Sequence, residues 1–158
     1  MKRRLILWIV FFLAALVYIH CHLVRRPLRR PDAVLEVKTT GYCACGKCCG
    51  WHFNWIGLPV AESGRLKIIG QTASGRMARP GTVAVDPAVF PIGTRFYIPG
   101  YGWGRAEDTG GDIKGRHLDL FFWRHQTGED WGVQMKQVKV WYSRNDSGAS
   151  ASLQKDSR

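Results

Sequence analysis

Between Leu35 and Trp141 the chain seldom runs far without a breaker: Pro80-Gly81, Pro87, Pro91-Ile92-Gly93, Pro99-Gly100, Gly110-Gly111 and Gly115 interrupt it. Proline fixes φ and removes an N–H donor, and glycine opens turn conformations, so long helices are excluded through this stretch. The intervals are short runs rich in Val, Ile, Phe, Tyr and Thr, which read as strands at Leu35–Tyr42, Thr82–Val85, Thr94–Ile98, Trp103–Glu107, His117–Phe122 and Met135–Trp141. One short helix fits Arg124 to Trp131, with Gly132 as its stop. Six short strands in roughly 110 residues match a small closed barrel. The length of 158 residues leaves room for one such domain plus appendages.

The appendages are compositionally distinct. Lys2-Arg3-Arg4 precedes an apolar run from Leu5 to Ile19, which His20-Cys21-His22 and Leu23-Val24 extend. A span needs about 20 apolar residues, so residues 1–24 read as an N-terminal transmembrane signal anchor, with Trp8 and Tyr18 near its ends. No small-residue cleavage site follows, and bulky Ile19 and His20 precede Cys21, so neither removal nor lipid attachment is expected. Residues 25–33 are a basic Pro/Arg linker, 34–142 the folded domain, and 143–158 a disordered Ser/Ala/Asp/Lys-rich tail.

The formal net charge of +11 concentrates in the first 32 residues, which hold seven of the 23 Lys and Arg against one acid, Asp32. The remainder carries 16 basic and 11 acidic residues, a surplus of five, without a basic stripe of interleaved aromatics. A nucleic-acid partner is therefore not expected.

Three aspartates stand out. Asp119 interrupts His-Leu-Asp-Leu-Phe-Phe, where strand alternation sends Leu118, Leu120 and Phe122 to one face and His117, Asp119 and Phe121 to the other. Aspartate is a poor strand former, so its place among apolar neighbours requires a reason: backbone amides, Arg116 or Lys114, or chemistry. Asp108 opens Asp-Thr-Gly-Gly, which is also ordinary turn sequence. Asp86-Pro87 fits the cap of a single helical turn as well as it fits a site.

Together these residues are more specific. Val85-Asp-Pro-Ala-Val-Phe-Pro-Ile-Gly-Thr94 and Ala106-Glu-Asp-Thr-Gly-Gly-Asp-Ile-Lys-Gly-Arg-His-Leu-Asp-Leu-Phe-Phe122 resemble the three-aspartate (3D) domain, with Thr72-Ala-Ser-Gly75 and Trp131-Gly-Val133 in support. The resemblance runs from about Thr39 to Trp141. It implies a mostly β, six-stranded double-psi β-barrel, similar to the catalytic domain of membrane-bound lytic transglycosylases and to stationary-phase survival cell-wall enzymes. It also implies cleavage of peptidoglycan glycan strands, an extracytoplasmic polymer, so with the anchor at residues 1–24 the expected position is membrane-anchored and extracytoplasmic in the cell envelope.

Glycan cleavage needs an acid to protonate the departing oxygen. In a lytic transglycosylase the muramic acid C6 hydroxyl then attacks the anomeric carbon and leaves a 1,6-anhydro end. The resemblance puts that acid, and the later base, on Asp119, with Asp108 and Asp86 completing the catalytic set. Lys114, Gly110, Gly111 and His117 are the candidate substrate contacts, and no cofactor is called for. Asp112 and Arg116 depart from the smaller or neutral residues common there in the family. A hydrolase on the same barrel, and a non-catalytic wall-loosening module of the expansin kind, are the alternatives.

Cys43-Ala-Cys45-Gly-Lys-Cys48-Cys49 is the remaining anomaly. Its Cys-x-x-Cys spacing suits zinc or redox chemistry. Outside the cytoplasm, disulfides are the expectation for these four residues, with Cys43 and Cys45 as partners for the adjacent Cys48 and Cys49, and no metal is assigned.

Overall fold

A computed structural model describes Trp8, residues 11–18 and residues 29–143. The chain divides into two units, Met1–Arg30 and Pro31–Arg158. Among the described residues of the second, eight strands form: β1 (Ala33–Tyr42), β2 (Trp51–Phe53), β3 (Pro59–Ala61), β4 (Thr82–Val85), β5 (Arg95–Ile98), β6 (Gly102–Thr109), β7 (His117–Phe121) and β8 (Gln134–Trp141). Two short helices accompany them, α1 (Gly46–Cys49) and α2 (His125–Trp131).

Six of these strands close into a barrel in the order β1-β7-β4-β6-β5-β8, while β2 and β3 form a separate two-stranded hairpin. The pairs β1/β7 and β4/β6 are parallel; the others in the barrel are antiparallel. Closure leaves the barrel without a free strand edge. The expected mostly-β, six-stranded closed barrel is thus observed, and each expected strand lies within one or two residues of a real one. The sequence reading omitted β2, β3 and α1, which are too short to show a period.

The expected transmembrane helix is not supported. Among the described residues, no helix is long and apolar enough to cross a membrane. Of the 1–24 segment, Trp8 and residues 11–18 are described, as helix. The rest of that segment, and the tail from 144 onward, lie outside the described residues.

Alternation along each strand sorts side chains into two layers. Val37, Val83, Val85, Phe96, Ile98, Leu118, Leu120, Val138 and Val140 fill the barrel, each fully buried. The opposite face of β4 and β7 carries Ala84 and Phe121, which join Tyr42 and Ala78 in a second, smaller cluster under the chain excursion between β1 and β4. Leu118 and Leu120 therefore point inward and Phe121 outward, as alternation requires, and Asp119 shares Phe121's face.

Helix α2 lies against β1 at a point where neither chain has a side chain. A Cβ on Gly41 would come within 2.8 Å of the Gly128 backbone, and one on Gly128 within 3.3 Å of Gly41. The helix ends at Gly132, whose φ of 63° favours glycine.

Candidate functional site

Asp119 and Asp108 come from different strands but meet one neighbour. In β7, Asp119 is paired across the ladder with Ala84 of β4, and in β6, Asp108 is paired with the same Ala84. The small Ala84 leaves an open trough between the two carboxylates. A register shift between Val83 and Ala84 makes this possible: Val83 pairs with Ala106, and Ala84 with Asp108, so Glu107 is the extra residue of a bulge. A bulge re-aims the side chains beyond it. Here Asp108 turns to the cleft and Glu107 is buried.

Glu107 answers a structural need. Thr82 Oγ1 donates to its Oε2 at 3.0 Å, while Arg76 and Arg79 lie 3.8 and 3.6 Å from Oε1. The Ser74 amide donates to its backbone carbonyl. These contacts hold the 72–79 loop against the barrel, and that loop returns the Ala73 amide to Asp108 Oδ1 at 2.9 Å.

Asp108 is thereby fixed on both oxygens, since Tyr42 Oη donates to Oδ2 at 2.9 Å and its neighbour Thr109 donates to Oδ1. Burial, with the Asp108 charge next to it, pushes the Tyr42 phenol well above its ordinary range. Asp119 has fewer donors. Thr40 Oγ1 donates to its Oδ1 at 2.6 Å from the adjacent parallel strand. Burial raises the Asp119 carboxyl above the ordinary aspartate range, the Thr40 hydrogen bond opposes this, and the Asp108 charge reinforces it.

His117 Nε2 lies 2.9 Å from the same Thr40 hydroxyl. Burial first, then Lys38, holds His117 below its ordinary pKa. His117 thus acts on Asp119 through Thr40 and is absent from the cleft wall.

The cleft has a volume of about 340 Å³. Asp108, Asp119, Gly110 and Gly111 line it, together with Tyr42, Lys67, Gln71 and Cys49. Lys67 Nζ also donates to the Cys49 carbonyl, which seats a cation beside the carboxylates. Lys114 is exposed and does not line the cleft. Nor does Asp86, whose two oxygens accept from Ala88 (3.0 Å) and Gly115 (2.8 Å). Those two amides hold the Asp86 carboxyl below the usual range. Its place is a turn that also receives the Val89 and Phe90 amides on its carbonyl, as a capping residue does.

Cys48 and Cys49 also line the cleft, and none of Cys43, Cys45, Cys48 and Cys49 is disulfide-bonded. The expected pairing is corrected by geometry. Cys43 Sγ and Cys48 Sγ are 3.8 Å apart, nearly twice a bonded S–S distance of about 2.05 Å. Cys49 Sγ points elsewhere and donates to the Cys43 carbonyl. His125 of α2, unremarked in the sequence, stands against Cys43, Cys45 and Cys48. Thr40, Tyr42 and Lys67 were also missed; each is ordinary in its local sequence, and only pairing across the barrel brings it to the aspartates.

The model of the 3D domain matches residues 81–144, which bears out the resemblance read from the sequence over that stretch. The chain is 42% identical over 77 residues to the cell wall-binding protein YocH of Bacillus subtilis (strain 168), covering 46% of this chain and 27% of that protein. It is 30% identical over 117 residues to the putative cell wall shaping protein YabE of the same organism, covering 74% of this chain and 25% of that one. The chain thus spans about a quarter of the length of these relatives. Among solved structures, the crystal structure of MltA from E. coli aligns with a TM-score of 0.37 and 22% identity, over 46% of this chain and 28% of that one. A likeness that slight carries no argument.

Proposed function

We propose, from the 3D domain in residues 81–144 and the names of its cell-wall relatives, that this chain acts on peptidoglycan glycan strands in the cell envelope, outside the cytoplasm. The reaction is glycosidic cleavage of the lytic transglycosylase type. Asp119 is the general acid: it protonates the departing glycosidic oxygen while positive charge builds on the anomeric carbon. The resulting carboxylate then takes the proton of the muramic acid C6 hydroxyl as that oxygen bonds to the anomeric carbon. The product is a 1,6-anhydro end, and no water is consumed.

The observation that carries this reading is the Asp119 carboxyl itself. It is half-buried in the cleft lining, hydrogen-bonded by Thr40, and raised in pKa by its burial, which favours the protonated form that a general acid needs. Asp108, fixed by three donors, stabilises the developing positive charge. Lys67 and the Gly110-Gly111 backbone face the same space as candidate sugar contacts.

The test is to incubate the protein with purified peptidoglycan and identify released muropeptides by mass spectrometry. Anhydro-muropeptides that vanish with Asp119→Asn are the expected result. Reducing ends in their place mean a hydrolase. Wall binding without any released fragment means a binding module, a role to which exposed Phe53 and Trp55 near the β2/β3 hairpin are suited.

A further inference from the structure

The geometry points to a structural zinc site formed by Cys43, Cys45, Cys48 and His125, which staples the loop behind β1 to helix α2 and sets one wall of the cleft. This goes beyond the proposed glycan chemistry and does not depend on it.

Four of the six distances among the ligand atoms fit tetrahedral zinc. Zinc–sulfur bonds of about 2.3 Å and zinc–nitrogen bonds of about 2.0–2.1 Å imply edges of about 3.8 Å between two sulfurs, and about 3.6 Å between sulfur and nitrogen. Cys43 and Cys48 are 3.8 Å apart. His125 Nδ1 lies 3.8, 3.6 and 3.3 Å from the sulfurs of Cys43, Cys45 and Cys48. All four ligand atoms fall within 4.8 Å of one another.

Two surrounding contacts point the same way. His125 Nε2 is 3.0 Å from Glu129 one turn on in α2, so the ring is oriented with Nδ1 turned to the sulfurs. This is the carboxylate–histidine arrangement that fixes a zinc-ligating imidazole. The Cys45 amide also points at Cys43 Sγ, at 3.5 Å, where it would stabilise a thiolate. The close Gly41–Gly128 approach explains how a histidine some 80 residues away reaches the cluster: it seats α2 on β1 immediately before Cys43.

The donor set chooses the metal and the role. Three thiolates and one imidazole in tetrahedral array suit zinc, and four protein ligands leave no open position, so the ion is structural. Cys49 is excluded, its thiol being turned to the Cys43 carbonyl. Cys48 and Cys49 line the same cleft as the aspartates, so the site holds that part of its lining in place.

The experiment is metal analysis of the purified full chain by inductively coupled plasma mass spectrometry, followed by replacement with cobalt(II). Stoichiometric zinc is expected, and the cobalt form should show thiolate charge-transfer and intense tetrahedral d–d bands. Cys48→Ser should lose the metal and Cys49→Ser should keep it. Glu129→Gln, which leaves every ligand in place, should weaken zinc affinity by about 10–100-fold; it serves as the readout if Cys48→Ser does not fold. Folded protein that takes up no zinc on titration overturns the proposal. So does a disulfide among Cys43, Cys45 and Cys48, stoichiometric iron or copper instead of zinc, or full affinity in Glu129→Gln. None of these readouts involves glycan cleavage, so this proposal and the functional one fail separately.

Discussion

The two walls of the cleft are built by different means. The carboxylate wall belongs to the barrel: Asp119 and Asp108 sit in strands whose neighbours on both sides are hydrogen-bonded, around a core of fully buried side chains. The sulfur wall belongs to a loop, with Cys48 and Cys49 in the four-residue helix α1 and Cys43 and Cys45 just before it. A strand holds its side chains through the ladder. A short loop has no such ladder and needs a cross-link or an ion to hold one geometry. The carboxylate wall is thus placed by the fold, and the sulfur wall by a local bond.

That contrast can be broken at each side. The largest effect is expected for Asp119→Asn: loss of glycan cleavage by about 10²–10⁴-fold, the usual contribution of a general acid, with an unchanged circular dichroism spectrum. An unfolded variant would mean that Asp119 is structural.

Next comes Cys48→Ser, which should release the zinc and make the 43–49 loop sensitive to protease. The barrel amides should keep their hydrogen-exchange protection. Uniform loss of protection would show that the walls form one cooperative unit.

Gly41→Ala tests the joint between them. The added Cβ meets the Gly128 backbone at 2.8 Å and must push α2 away. A destabilisation of about 1–3 kcal/mol is expected from such overpacking, read from denaturant unfolding, together with weaker zinc binding.

The pH dependence sharpens the carboxylate side. Because burial raises the Asp119 pKa in the folded state, folding favours its protonated form, and that favourable linkage is complete below the unfolded value of about 3.9. It is lost as pH rises through the folded value. Asp119→Asn should therefore gain stability over the parent as pH rises through this window, seen as a widening Tm difference. A Tm difference independent of pH would remove the raised pKa from the account.

The smallest effect is expected for Asp86→Asn. Its folded pKa is depressed, so its contribution is present above about 3.9 and lost as pH falls through the folded value. The variant should lower Tm slightly at neutral pH, and cleavage should persist. Loss of cleavage would return Asp86 to the chemistry.

Local sequence carried the barrel far. Glycine and proline placement marked the strand ends, and period-two alternation put Asp119 on the opposite face from Leu118 and Leu120, because a strand's pleat is a local property. It also identified the 3D pattern and the cysteine cluster as the unusual chemistry. Tertiary structure decided what those residues meet. The bulge at Glu107 turned Asp108 into the cleft, Thr40 reached Asp119 through a parallel pairing, and His125 reached the cysteines by the seating of α2 on β1. It also moved Asp86 and Lys114 off the cleft and left the cysteines as thiols. Each of these depends on register and on contacts between segments distant in the chain, which no local period encodes.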